Sequence, residues 1–228
     1  MNKKSVKNIL LDCDGVLYPL SELPTREIVE AMKYIYRNDV GLKPEEQKFV
    51  SEKTLAENHL GMFNYIKEIC RYKNYDFDIF CQSVTDKIDY SRIKENKQLW
   101  DALQDLKNQY NVCIFSNNSR PHLDAVFQRI FNKNIDDVEK SGIKTYDIKA
   151  TEYNGYFYPK QHEQGFILFL KNLGLKAEET LLFDDASINI TRAKEIGMSA
   201  VLISRENTLL KEIKNYNVQN INAGKYYE

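Results

Sequence analysis

Apolar residues along the chain fall into two kinds of pattern, and their order predicts the architecture. Four short runs, Ile9-Leu10-Leu11, Val112-Cys113-Ile114-Phe115, Thr180-Leu181-Leu182-Phe183 and Ala200-Val201-Leu202-Ile203, are bounded by polar residues. Runs of that length without alternation predict strands buried on both faces, as in a parallel sheet. Other segments carry helical spacing instead. After Pro121, a favoured first helical position, Leu123, Val126, Phe127 and Ile130 share one face. Phe166, Phe169, Leu170 and Leu173 do the same before Gly174, and Ile190, Ala193 and Ile196 before Gly197, each glycine placed to end a helix. Strand alternating with helix predicts an α/β fold with a doubly wound, mainly parallel sheet.

From Tyr18 to about Ile93 the pattern is helical only. Ile28, Met32 and Ile35 form one stripe, Phe63, Ile66 and Cys70 a second, and Phe77, Phe80, Val84 and Ile88 a third. This predicts a helical insertion after the first strand, with residues 1–18 and 94–228 as the α/β core and 19–93 as the insertion. A helix around Leu99, Leu103 and Leu106 then leads back to the second strand. The polar tail NVQNINAGKYYE is expected to be peripheral.

Composition narrows the function classes. Thirty-two Lys and Arg against 33 Asp and Glu leave a net charge of -1, so no global field draws in nucleic acid or an anionic membrane. No segment approaches the roughly 18 apolar residues of a membrane span. The apolar run after Lys3, Lys4 and Lys7 is too short for a signal-peptide core. Cys13, Cys70, Cys81 and Cys113 show no C-x-x-C spacing and read as buried thiols, which fits a reducing, cytoplasmic setting.

The chemistry collects where the apolar runs stop. The first ends in Asp12-Cys13-Asp14-Gly15, the second in Ser116-Asn117-Asn118, and the third in Asp184-Asp185. Taken singly, each reads as a turn or a helix cap, and Lys160 beside Pro159 reads as solvated surface. Together they lie where ligands bind in an open α/β sheet, at the carboxyl ends of strands. Two carboxylates about 4 Å apart repel by roughly 4 kcal/mol at an effective dielectric near 20, so such a cluster implies a cation. Oxygen ligands with retained waters suit magnesium (Mg2+).

These residues resemble the motifs of the haloacid dehalogenase-like (HAD) superfamily. DCDGVLY is similar to its first motif, D-x-D-G-x-x-Y; IFSNN to the second; Lys160 to the lysine of the third; and LLFDDASINITRAKEIGM to the fourth. Within the superfamily, DYSRIKENKQLWDAL leading to IFSNNSRPHLDAVFQRI resembles the pyrimidine 5′-nucleotidase-like branch, including His122. His122 is expected in the first turn of a helix, partly exposed and without a catalytic role. The chain departs from the family pattern at Pro159-Lys160-Gln161, where Lys-Pro is usual, and at Ala186, where Ser follows the two aspartates. HLGMFNYI only loosely matches the branch's Tyr-Gly-x-Thr stretch.

The resemblance implies a magnesium-dependent phosphatase acting on a small phosphomonoester, with nucleoside 5′-monophosphates among the candidates. It assigns Asp12 as nucleophile and Asp14 as general acid and base, with Ser116, Asn117 and Lys160 holding the phosphoryl oxygens. Magnesium falls to Asp12, the Asp14 backbone carbonyl, Asp184 and Asp185, the last acting through water or by orienting Lys160. Asn189 supports the site, and the helical insertion becomes a cap that closes over it. The expected partner is a small phosphoester, with neither nucleic acid nor membrane, and the chain is a monomer or homodimer. A sugar phosphomutase and an inactive binding protein of the same fold are the alternatives. Intact Asp12, Asp14, Ser116, Lys160, Asp184 and Asp185 argue against the second.

Overall fold

The computed structural model describes residues 6–56 and 61–215, so the polar tail at 217–228 lies outside the described residues. The strands are β1 (Asn8–Leu11), β2 (Asn111–Phe115), β3 (Lys144–Tyr146), β4 (Glu152–Tyr153), β5 (Tyr156–Phe157), β6 (Thr180–Asp184) and β7 (Ser199–Leu202). Five of them form one sheet in the order β3-β2-β1-β6-β7, every neighbouring pair parallel, while β4 and β5 make a separate antiparallel hairpin. The four apolar runs are four of the five sheet strands. The fifth, β3, has the sequence Lys-Thr-Tyr and so carries no apolar run to announce it.

The α-helices that lie wholly within the described residues are α1 (Thr25–Asn38), α2 (Pro44–Ala56), α3 (Met62–Lys73), α4 (Phe77–Thr85), α5 (Lys97–Lys107), α6 (Arg120–Phe131), α7 (Ile135–Lys140), α8 (Gly165–Leu173) and α9 (Ser187–Glu195). Because successive strand residues point to opposite faces, the central strands feed two cores. Ile9, Leu11, Val112, Ile114 and Phe183 pack with Leu103 of α5, Val126 and Phe127 of α6 and Val138 of α7. On the other face Leu10, Cys113, Phe115 and Leu182 pack with Phe166 and Phe169 of α8 and Ile190 of α9. Phe115 and Phe169 stack with ring centroids 3.9 Å apart. This double coverage is why the runs are continuous rather than alternating.

Helices α1 to α4 follow β1 and gather around a core of their own, with Ile35, Tyr36, Val50, Ile66, Ile69 and Phe80 at its centre. Helix α2 has no readable stripe because, among its residues of described burial, it buries only Val50 and Thr54 while Phe49 and Leu55 stay exposed. The returning segment rejoins the main core through Tyr90 and Ile93. The helical layer is fastened to the β4-β5 hairpin. Asn64 of α3 bonds both backbone groups of Phe157, its Nδ2 donating to the carbonyl and its Oδ1 accepting from the N–H, each at 2.8 Å. Lys67 pairs with Glu152 at 2.6 Å, and Arg71 donates to the Gly155 carbonyl at 2.8 Å.

Candidate active site

Register brings the three strand ends level. Leu11 pairs with Ile114 of β2 and with Phe183 of β6, so the residues that follow, Asp12 and Asp184, emerge side by side from adjacent strands. Lys160 enters from the loop between β5 and α8. A lone lysine beside proline reads as solvated surface, yet Lys160 is only 1% exposed. Its ammonium lies 2.7 Å from Asp12 Oδ1 and 2.9 Å from Asp184 Oδ2, and it donates to the Phe115 carbonyl at 3.2 Å. The chain end that carries this lysine is held by the second strand loop. Its backbone N–H donates to Asn117 Oδ1 at 3.0 Å, and Asn117 Nδ2 donates to Gln161 Oε1 at 3.0 Å.

The carboxylates of Asp12, Asp184 and Asp185 each place one oxygen within 4.8 Å of the others. When all three are ionised, the carboxylates around one ammonium leave two net negative charges, and an all-oxygen donor set of that charge fits a hard divalent cation. The oxygens also show the strain of their crowding. Burial, with Asp184 adding and Lys160 opposing, pushes the Asp12 carboxyl up to about 8. Asp185 is raised by burial and by Asp184. Burial disfavours the charge on Lys160, but Asp12 and Asp184 outweigh it and push the ammonium up to about 12. Lys160 therefore stays a cation, and a second positive charge would return Asp12 to its ionised form. Asp184 is anchored by the start of α9, its Oδ1 accepting from the Ala186 N–H and from Asn189 Nδ2, both at 2.9 Å.

Asp14 lives in other surroundings. Its carboxylate is outside the acidic cluster and is met by three donors: Tyr18 O–H and His122 on Oδ1, and Asn118 Nδ2 on Oδ2. Burial opposes its charge, but His122, Tyr18 and Asn118 win and hold it below the usual carboxylate range. The sequence reading placed His122 partly exposed, whereas it is 5% exposed. The first turn of α6 faces inward, and the ring is held between Asp14 and the Tyr90 hydroxyl. Tyr18, Asn118 and Tyr90 carried no role in the sequence reading. Tyr18 and Asn118 stand inside the first two motifs and Tyr90 inside the DYSRIKENKQLWDAL stretch, which is the only signal the sequence offers for them.

Ser116 is buried, its Oγ accepting from the Asn118 N–H at 3.1 Å, which fixes the loop after β2. Over that loop opens a cavity of about 190 Å³ lined by Met62, Phe63 and Asn64 of α3 with Asn117, Asn118 and Gln161. A wider groove of about 950 Å³ runs past Gly15, Leu17, Asp185, Arg205 and Leu209.

A parallel sheet with an acid-lysine cluster and a serine loop at adjacent strand ends defines a Rossmann-like α/β core with its chemistry at the carboxyl ends of the strands. The haloacid dehalogenase-like hydrolase profile matches residues 6–197, and the chain belongs to that family. Among solved structures, an HAD-family enzyme of Bacteroides thetaiotaomicron is similar at 19% identity and TM-score 0.51, over 88% of this chain and 95% of that one. The same enzyme is also known in complex with magnesium and inorganic phosphate. An HAD-like hydrolase of Porphyromonas gingivalis aligns at 18% identity and TM-score 0.54, over 92% and 97% of the two chains. CbbY of Rhodobacter sphaeroides, in complex with phosphate, aligns at 16% identity and TM-score 0.53, over 89% and 88%. At these identities the likeness is one of fold. No curated protein matches the sequence. Among the described residues no helix is long and apolar enough to cross a membrane.

Proposed function

We propose that this hydrolase releases phosphate from a small phosphomonoester through an aspartyl-phosphate on Asp12. The observation that carries the reading is the unlike treatment of two carboxylates two residues apart. Asp12 joins the Lys160 and Asp184 cluster, while Asp14 is turned to a separate set of donors. Paired groups in contrasting environments are how a site assigns a nucleophile and an acid-base.

Ser116 Oγ, the Asn117 N–H and Lys160 are the groups available to hold the phosphoryl oxygens, stabilising charge as it develops there. Asp12 attacks phosphorus, the ester P–O bond breaks, and Asp14 gives its proton to the departing oxygen. The arriving phosphate dianion raises the Asp14 pKa by like-charge repulsion, which supplies the protonated form that the donors alone disfavour. Asp14 then takes a proton from water as that water attacks the aspartyl-phosphate, releasing phosphate and restoring both carboxyl groups. Asp12, Asp184, Asp185 and the Asp14 carbonyl are the ligands we assign to magnesium, which when bound offsets the substrate's charge and fixes the line of approach. Helices α1 to α4 serve as a cap that excludes water and reads the leaving group, with residues 19–93 as its span. The pocket under Met62, Phe63 and Asn64 is where we place that recognition, and nucleoside 5′-monophosphates head the substrate panel.

The test is phosphate release from nucleoside monophosphates, sugar phosphates and p-nitrophenyl phosphate, with and without magnesium, in the wild type and Asp12→Asn. Magnesium-dependent release that vanishes in Asp12→Asn is expected. An isomeric sugar phosphate in place of free phosphate, or no turnover by folded protein, overturns the reading.

A further inference from the structure

Behind Asp14 a buried chain of polar side chains leads back toward the helical layer. His122 Nε2 lies 3.0 Å from Asp14 Oδ1, and His122 Nδ1 lies 2.9 Å from the Tyr90 hydroxyl. An ionised carboxylate is an acceptor only, so His122 presents its Nε2–H to Asp14, and in the neutral ring Nδ1 is left to accept from the Tyr90 hydroxyl. Each oxygen of a carboxylate offers about two lone-pair sites. On Asp14, Oδ1 is met by both Tyr18 and His122, whereas Oδ2 is met by Asn118 alone. Among the described residues, one acceptor site on the carboxylate remains open, and it is on Oδ2.

We propose that His122, braced by Tyr90, is a positioning residue for proton transfer: with Tyr18 it saturates Asp14 Oδ1 and so directs the proton exchanged with the leaving group to Oδ2. The inference rests on the phosphatase reading, in which Asp14 is the acid and base. It gives a task to a buried histidine that the mechanism otherwise leaves idle. It also explains why three donors from three segments converge on one carboxylate, since a freely rotating carboxyl would present either oxygen and lose the alignment that proton transfer needs.

A histidine that only fills space lowers all substrates alike, whereas one acting through Asp14 matters in proportion to the leaving group's need for a proton. The experiment uses a series of substituted phenyl phosphates of nearly constant shape. It runs from p-nitrophenyl phosphate, whose phenolate leaves readily, to p-methoxyphenyl phosphate, whose phenolate leaves poorly. It reads kcat/KM, which reports the first half-reaction and not the later hydrolysis. His122→Asn retains a group near Nδ1 and loses the contact to Asp14, while His122→Gln restores an amide near Nε2. We expect the loss in His122→Asn to be at least about tenfold greater at the p-methoxy end than at the p-nitro end, within the range a general acid supplies. His122→Gln should recover most of that difference. Tyr90→Phe, which leaves the Asp14 contact in place, should show the same slope in weaker form and serves if His122→Asn fails to fold. A loss that is equal across the series, or no loss at all, overturns the proposal while leaving the phosphatase reading intact. A wild type that releases no phosphate from any ester overturns both.

Discussion

Gly15→Ala isolates the contribution of Asp185 to the acidic cluster. Gly15 turns the chain after the Asp12-Cys13-Asp14 segment at a φ of +79°, and a Cβ placed there would sit 2.2 Å from Asp185 Oδ2, 2.5 Å from its Cγ and 3.1 Å from its Cβ. Turning the Asp185 side chain about its Cα–Cβ bond relieves the first two contacts but not the third, so the substitution must displace the carboxylate and press on the loop after β6. The left-handed backbone alone costs an L-residue roughly 1–2 kcal/mol. For a chain of this size that lowers Tm by roughly 2–8 °C. Gly174→Ala is the control, because φ there is +64° and nothing lies within 4 Å of the added Cβ. Both variants should melt lower, Gly15→Ala by the larger amount because its Cβ also meets Asp185, but only Gly15→Ala should weaken magnesium, by about tenfold or more, as expected when one group of a metal site is displaced. The assay is thermal unfolding across a magnesium titration, where a bound ligand stabilises by RT ln(1 + [L]/Kd). A Gly15→Ala protein with the wild-type magnesium midpoint would refute the reasoning, as would a Gly174→Ala protein with a weakened one.

Three further outcomes follow from the same geometry. Asp12, raised to about 8 from 3.8, contributes stability in the metal-free protein that is present at acid pH and lost as pH rises through 8. Magnesium takes the ionised form, so its binding should tighten up to about tenfold per pH unit toward pH 8, level off above it, and release a proton on the acid side; calorimetry showing pH-independent affinity from about pH 6 to 9 would count against this. Lys160→Met leaves Asp12 and Asp184 without their ammonium, a loss of about 3–5 kcal/mol for a broken buried pair, read as a lower metal-free Tm that added magnesium partly restores. An unchanged Tm would mean the pair carries no net charge interaction. Asn64→Ala strips both hydrogen bonds from the Phe157 backbone and should cost about 1–3 kcal/mol in urea unfolding, with a free energy within error of wild type as the contrary result.

What the sequence made legible follows the range over which its signals act. The doubly wound core could be read because each strand is a contiguous run whose own burial on both faces shapes its composition, and because parallel register sets the run ends level. Asp12, Ser116 and Asp184 therefore came out together. Their surroundings did not, since the partners of Asp14 come from Tyr18, Asn118 and His122, and the ring's support comes from Tyr90, 32 positions before it. Helices α1, α3 and α4 announced themselves by stripes, but their fastening to the β4-β5 hairpin depends on pairs such as Asn64 with Phe157, 93 positions apart. Two-residue strands carry no periodicity that could mark them. The burial of Lys160 was equally hidden, because an ammonium enters a core only where carboxylates meet it, and those lie on other segments.

The two departures from the family pattern bear on whether the site works. Serine after the paired aspartates is replaced by Ala186, but the group that binds Asp184 at this position is the backbone N–H, which any residue supplies, and Asn189 provides the second donor. Gln161 stands where proline is usual after the lysine, and its side chain accepts from Asn117, whose own oxygen holds the Lys160 N–H. The flexibility gained by losing proline is thus met by a hydrogen bond between the lysine loop and the loop after β2. Neither change removes a carboxylate, the ammonium or the Ser116 hydroxyl. A binding scaffold loses nothing when the whole buried cluster is exchanged for apolar side chains, a change that is often neutral or stabilising, whereas nucleophilic attack needs the carboxylate and its ammonium. The presence of that cluster, with the hydrogen bonds that hold its loops at Ala186 and Gln161, supports the hydrolytic reading over the inactive one.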